Sequence, residues 1–391
     1  MAQTLLTPEA PVASVPAAGV QMPARKPPLP ALTGVRTLLA VNIMLFHFTP
    51  PHMQLLYPMI NNSYVFVGFF FLLSGYVLAY NYADREVPLN KRQFWKARFA
   101  RLYPLYAFSL VFSAVMVRQE WHARSHGQFI AGMILTPLLL QGWNPWLATF
   151  WNTVAWTLSV DLFLYLLFPY LLRLPWPKRP LQLIGLIFAV WAAGLIPHTI
   201  YLFTNPDHLS APLDRYSYGF WLRGLKYSPP SYLCTFLVGI ALGKLQARMK
   251  LTKKQRTGVA VASLAAIVLF FAYVVDRVPY ILMHGGFLVP LFGALVIGLS
   301  GHNFVASAFA WKPIELLGQC SYTLFLLHFN LINMIRQYHV PQRLHVEAYD
   351  PWFSYAVAIA LSIVTMYWIE KPARKWILGQ RERKLAAATA P

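Results

Sequence analysis

Ionisable side chains are few inside the long apolar runs of this chain: Arg36, His47, Asp161, His284 and His328, with Glu315 and Glu370 near the run ends. A charge at membrane depth is costly, so each is a functional candidate. A histidine beside a carboxylate forms a general-base pair, in which the acid fixes the tautomer and supports the imidazolium. His47, Asp161 and His328 are expected at similar depth, so that either histidine can meet the acid. A lone intramembrane histidine also serves as a hydrogen bond between helices, and that reading stays open for His47 and His328 taken singly. Asp161 resists it, because a buried carboxylate needs a partner or a proton. His284, beside Gly285 and Gly286 near a run end, reads as structural or interfacial.

A second cluster is basic: Lys91, Arg92, Lys96, Arg98 and Arg101. Arg98 and Arg101 are three apart and share a helix face. With Arg36 at similar depth they can grip phosphates bidentately. The loop lysines read as orienting and snorkelling charge. The sequence offers no phosphate-cradling glycine loop, no zinc-ligand spacing and no nucleophile elbow, so no metal is expected.

The elements that must position these residues are membrane spans. Of 391 residues, 57% are hydrophobic and only 12% charged, about half the charge of a soluble domain, and the mean hydropathy is +0.47. This excludes a disordered chain, a coiled coil and an ordinary cytosolic enzyme. Cys234 and Cys320 both lie in apolar segments, which leaves no disulfide framework. The net charge of +20 does not point to nucleic acid, since the cations sit in short loops between apolar runs rather than on one polar face. Runs able to cross a bilayer fall at 33–50, 63–82, 102–118, 156–174, 182–203, 231–247, 257–275, 280–300, 314–336 and 352–370. A shorter run near 128–141 is broken by Pro137. If it does not cross, 24 of the 33 Lys and Arg fall on the side of both termini, and the positive-inside rule then gives ten spans with both termini cytoplasmic. If it crosses, the asymmetry reverses from Arg173 onward. The expected fold is thus all-α, a polytopic transmembrane helical bundle of about ten spans, with 128–155 re-entrant or lying on the surface. Residues 1–30, rich in Pro and Ala, are expected as a disordered cytoplasmic tail, 31–375 as the membrane domain, and 376–391 as a basic cytoplasmic tail. On this topology Arg36 lies near the cytoplasmic face and His47 about 16 Å further out. His328 lies about 20 Å from the cytoplasmic start of its run.

Taken together, these segments resemble the integral-membrane acyltransferase-3 family. The first run reads Gly34-Val35-Arg36 to Phe46-His47, the family's Arg and His separated by ten residues. The second holds Phe70-Phe71-Leu72-Leu73-Ser74-Gly75-Tyr76, and Arg98-Phe99-Ala100-Arg101-Leu102-Tyr103-Pro104 follows. Next come Trp156-Thr157-Leu158-Ser159-Val160-Asp161, then Gly318 with Ser321-Tyr322 to Leu327-His328, and finally Glu370-Lys371-Pro372. The resemblance covers about residues 31–375. Asp161 departs from it by standing where the family usually has Glu, one methylene longer. No hydrolase-like domain, of the kind some members append, is read after the last run.

The resemblance implies an enzyme that moves an acyl group from cytoplasmic acyl-CoA, as donor co-substrate with no bound cofactor, to a hydroxyl of a cell-envelope glycan, glycolipid or small acceptor. Carried over by position, His47 is the catalytic residue and Asp161 its acidic partner, while Arg36, Arg98 and Arg101 serve the donor. Ser74, Trp156, Ser159, Tyr322, His328 and Glu370 stand in the same motifs as candidate site-lining residues. Direct transfer and a covalent acyl-His route both remain open. The implied partners are acyl-CoA, the acceptor and membrane lipid, in a multi-pass protein of a bacterial inner membrane. The alternative is a transporter or flippase of a polar lipid or glycan, using the same intramembrane groups as a relay, though no inverted repeat supports it.

Overall fold

The structure is a computed structural model and describes residues 26–83 and 88–388. It is 75% helical, with no strand among the described residues. In chain order the principal helices are α1 (Pro30–His47), α2 (Val65–Tyr82), α3 (Lys91–Phe112), α4 (His126–Leu135) and α5 (Trp156–Leu171). They continue as α6 (Pro180–Thr204), α7 (Phe220–Tyr227), α8 (Leu233–Arg248), α9 (Lys253–Tyr273) and α10 (Val289–Leu299). The last are α11 (Lys312–Gln319), α12 (Ser321–Gln337), α13 (Trp352–Thr365) and α14 (Lys371–Ala388). The expected amino-terminal tail lies outside the described residues up to position 25, and the chain is already helical at Pro30. The expected carboxy-terminal tail from 376 continues as helix to Ala388.

Six helices are long and apolar enough to cross a membrane: Pro30–His47, Val65–Tyr82, Pro180–Thr204, Lys253–Tyr273, Tyr280–Leu299 and Trp352–Gly379. Lys91–Phe112 with Ala114–Ala123, bent by 57°, makes a seventh if taken as one span. Helices also form at the remaining expected runs, as α5, α8 and α12, but these are only 16, 16 and 17 residues long. These three helices carry polar groups among their buried positions. On α12 the buried positions include Ser321, Thr323, His328 and Asn330. By contrast only 17% of the α6 window is buried, against 67% for α2, which places α6 against lipid and α2 in the centre. The run at 128–141 yields only the 10-residue α4, about 15 Å long and too short to cross. After it the chain turns inward, and Gln141, Leu147, Phe150 and Asn152 are buried.

Two close approaches fix the frame. A Cβ at Gly34 would collide with the carbonyl oxygen of Phe309, and one at Gly318 with that of Thr33. Only hydrogen in those places lets α1 lie against the segment leading into α11, where Thr37 Oγ1 donates to the Ile314 carbonyl at 2.7 Å. In the same way, a Cβ at Gly75 would collide with the Phe236 carbonyl and one at Gly239 with that of Leu72, so α2 and α8 touch backbone to backbone. The first contact orients α1, and the second sets α2 as the wall facing it.

Candidate active site

Helix α1 begins with Pro at its first position and ends at His47, just before Thr49-Pro50-Pro51, whose prolines cannot continue it. Arg36 and His47 therefore sit near opposite ends of one rigid rod, and each faces a separate space.

The inner space is a cavity of about 130 Å³ lined by Arg36, Arg98, Arg101, Asp161, Tyr165 and Tyr322, with Ser74 among its other walls. The arginines come from α1 and α3, the carboxylate from α5. Ser74 Oγ and Tyr165 OH are 3.3 Å apart. Tyr322 OH donates to the Leu102 carbonyl at 2.9 Å, tying α12 to α3. Arg98 lies over the rings of Phe94 and Tyr165, 5.6 and 5.9 Å from their centroids. Buried Arg98 Nε and Asp161 Oδ1 have no hydrogen-bond partner among the described residues. Buried polar atoms are normally paired, so these two mark where a polar ligand fits.

The outer space is a chamber of about 400 Å³, lined by His47, Arg215, Lys226, Tyr227, Tyr280 and His284 as well as Trp156 and several apolar side chains. His328 stands behind His47 and is fully buried. The hydrogen bonds of the two rings settle their tautomers. His328 Nδ1 faces the Phe325 and Leu324 carbonyls at 2.9 and 3.1 Å, and a carbonyl only accepts, so Nδ1 carries the proton and Nε2 the lone pair. That Nε2 lies 3.1 Å from His47 Nδ1, which also faces the Ile43 carbonyl at 2.9 Å. Both neighbours accept, so His47 Nδ1 carries hydrogen, and in the neutral pair its Nε2 is left as a lone pair. Phe46 and Phe329 hold the His47 ring edge-on, each with centroids 5.1 Å away.

The expected His47–Asp161 pair does not form. Asp161 faces the inner cavity among three arginines, and His47 takes His328 as its partner. Val67 and Phe325 line both spaces and stand between them. Height along the helix does not decide the pairing, because the rotation of α5 about its axis points Asp161 inward. Of the other candidates, Ser74 and Tyr322 line the inner cavity and Trp156 the outer chamber. Ser159 does neither: its Oγ accepts from the Gly142 N–H at 3.2 Å and pins the inward-turning segment. Glu370, in a π-helical turn at Met366–Glu370, accepts from Thr323 Oγ1 at 3.0 Å and braces α12. His284, expected as structural or interfacial, lines the chamber, stacked on Tyr64 with its Nε2 3.0 Å from Tyr280 OH.

Sequence reasoning misses Arg215 and Lys226, which read only as loop charge, and also Tyr165 and Phe325. A signal is present. Leu222, Arg223 and Lys226 are the buried positions of α7, and their spacing is that of a helix face turned inward.

Known proteins point the same way. A family model described as an acyltransferase domain matches residues 29–371. The chain is 26% identical to the acyltransferase MdmB of Streptomyces mycarofaciens, over 95% of this chain and 97% of that one. It is 22% identical to the peptidoglycan O-acetyltransferase OatA of Listeria monocytogenes, over 89% of this chain and 56% of that protein. The O-acetyltransferase OatA of Staphylococcus aureus is also 22% identical, with 57% of its length covered. The chain thus spans nearly all of the first and little more than half of the other two. No solved structure matches significantly. With the family match running from the head of α1 to the start of α14, the chain belongs to the integral-membrane acyltransferase-3 family and is an acyltransferase.

Proposed function

We propose that the protein moves an acyl group, acetyl by analogy with the relatives named O-acetyltransferases, from acyl-CoA to a hydroxyl of a cell-envelope carbohydrate or a related acceptor. The observation that carries this reading is the shared wall. The arginine-lined cavity and the His47 chamber meet at Val67 and Phe325, so a thioester held from one side lies next to a base facing the other. Arg36, Arg98 and Arg101 hold the donor phosphates, and Asp161 keeps the three guanidiniums spaced and oriented. His47 Nε2 takes the proton of the acceptor hydroxyl as its oxygen attacks the thioester carbonyl carbon. The C–S bond breaks, the new ester leaves on the acceptor, and the CoA thiolate recovers the proton from the His47 imidazolium. His328 is a positioning residue, accepting the His47 Nδ1–H so that Nε2 faces the chamber.

The same reading places the protein in a bacterial inner membrane with ten crossings and both termini cytoplasmic. Arg36, Arg98 and Arg101 then face the compartment that supplies acyl-CoA, and the chamber faces the envelope. The test is acetyl-CoA turnover by the purified protein in detergent, with and without a glycan acceptor, wild type beside His47→Ala. Loss of turnover by roughly 10²-fold or more in a folded, CoA-binding variant supports the reading. Undiminished turnover in that variant refutes it.

A further inference from the structure

The outer chamber holds two cations and no acid. Arg215 and Lys226 line it, with His47 and His284, and no Asp or Glu among the described residues does. Lys226 is 4% exposed. Its Nζ has three hydrogens to donate, and its one hydrogen-bond acceptor among the described residues is the Arg215 carbonyl, at 3.5 Å. Its other neighbours are the rings of Tyr227 and Tyr280, 5.5 and 5.2 Å from their centroids. Arg215 donates through Nη1 to the Phe46 carbonyl at 3.1 Å and lies over the Phe46 ring at 4.3 Å, one residue from the base. Neither cation forms an ion pair among the described residues. The acid beside them in sequence, Asp214, is near enough for its charge to act on Lys226 but forms no ion pair with it: its Oδ1 accepts from the Tyr216 and Ser217 N–H groups and from Ser217 Oγ, at 2.9, 2.9 and 3.0 Å.

Burying an ammonium without a counter-charge is expensive. Such a group is retained where a ligand supplies the charge. The chamber is also reachable, because Tyr64, Arg215, Tyr216 and Tyr280 line both it and an open outer cleft of about 1040 Å³. We infer that the acceptor carries an oxyanion, a carboxylate or a phosphate, which Arg215 and Lys226 hold while the neighbouring hydroxyl meets His47. This inference rests on the acyl-transfer reading and narrows its acceptor to an anionic class. A bound oxyanion also balances a chamber that must hold the proton taken up by His47 together with two standing positive charges.

The test measures binding, so it does not depend on turnover. Isothermal titration of the full-length protein in an uncharged detergent compares methyl β-D-glucuronide with methyl β-D-glucoside, and glycerol 3-phosphate with glycerol. In each pair the anionic member is expected to bind about tenfold or more tightly. That preference should vanish in Lys226→Gln and Arg215→Gln and persist in Lys226→Arg, each checked for folding by retained acetyl-CoA binding. Preference within one pair alone identifies the anion as carboxylate or phosphate. Equal binding of charged and neutral members, no binding of either anion, or a preference that survives both Gln variants overturns the inference. So does displacement of the anion by adenosine 3′,5′-bisphosphate, which would put the donor there instead. Anion preference without acyl transfer to any acceptor would leave this site standing and remove the acyl-transfer reading.

Discussion

His328 Nε2 lies 3.1 Å from His47 Nδ1, and both rings are anchored to backbone carbonyls of their own helices. The two histidines therefore form a directional relay in which each Nδ1 carries hydrogen and the last free lone pair is on His47 Nε2. Removing His328 lets the His47 ring turn or change tautomer without removing the proposed base. His328→Ala is expected to lower kcat by about 10–100-fold with the KM for acyl-CoA unchanged. His328→Gln, whose amide oxygen can accept the Nδ1–H, should recover part of that loss. A parallel rise in acyl-CoA KM, or no recovery with Gln, would show that His328 only packs the core.

Arg98, Arg101 and Asp161 share one cavity, and their substitutions should share one kinetic signature. If they hold the donor as proposed, Arg98→Gln and Arg101→Gln each remove a charge-assisted contact worth about 1.5–3 kcal/mol, which corresponds to about a 10–100-fold rise in acyl-CoA KM. Asp161→Asn should move the same parameter in the same direction, because it disturbs the arginines and does not touch His47. Steady-state kinetics over a range of acetyl-CoA concentrations checks this. If Asp161→Asn instead lowers kcat alone, as His328→Ala is expected to, Asp161 serves the base after all.

Much of this arrangement is legible in the amino-acid sequence. Spacing and depth bring Arg36, Arg98 and Arg101 to one level, and the three do converge on one cavity. The same depth argument sets His47 and His328 at similar height, and they touch. What a sequence cannot supply is rotation about each helix axis. Asp161 has the right height to meet His47, yet α5 packs so that Val160 and Leu164 enter the core while Asp161 faces the arginines. Periodicity gives a helix face relative to its own axis and leaves open which neighbour that face meets. The span count meets the same limit. Helices α5, α8 and α12 form at expected runs, but hydropathy does not fix where a helix begins and ends, and they are only 16, 16 and 17 residues long.

Phe325 stands between the inner cavity and the outer chamber, with its ring 6.2 Å from that of Phe70, itself a wall of the inner cavity. If this wall keeps water off the thioester, thinning it should uncouple the reaction. Phe325→Leu keeps the site apolar and removes the ring edge, a milder change than Phe325→Ala, which costs about 3–5 kcal/mol in a packed core. The expected result is a several-fold higher ratio of acetyl-CoA hydrolysis to transfer, measured as thiol release against labelled acceptor. An unchanged ratio in a folded variant would mean that the wall plays no part in excluding water.

Lys226 provides a pH handle that lies outside the spans. Burial, with Arg223 next and only partly offset by Asp214, pushes its ammonium down from the usual lysine range to about 8. The sign follows directly. Below pH 8 the group is charged and attracts an oxyanion, whereas above pH 8 it becomes neutral and the attraction fades. The groups around it that bear on this titration are Arg223, Asp214 and Arg215, the phenols of Tyr227 and Tyr280, and His284. Preference for glucuronide over glucoside should therefore fall as pH rises from 7 to 9. A bound anion stabilises the ammonium, so the midpoint should lie somewhat above 8 at saturating ligand. Lys226→Arg, which stays charged throughout, should flatten the profile over that interval. A preference that falls equally in the Arg variant would assign the pH dependence to another group, and one that is flat in the wild-type protein would show that Lys226 does not lose its charge over this interval.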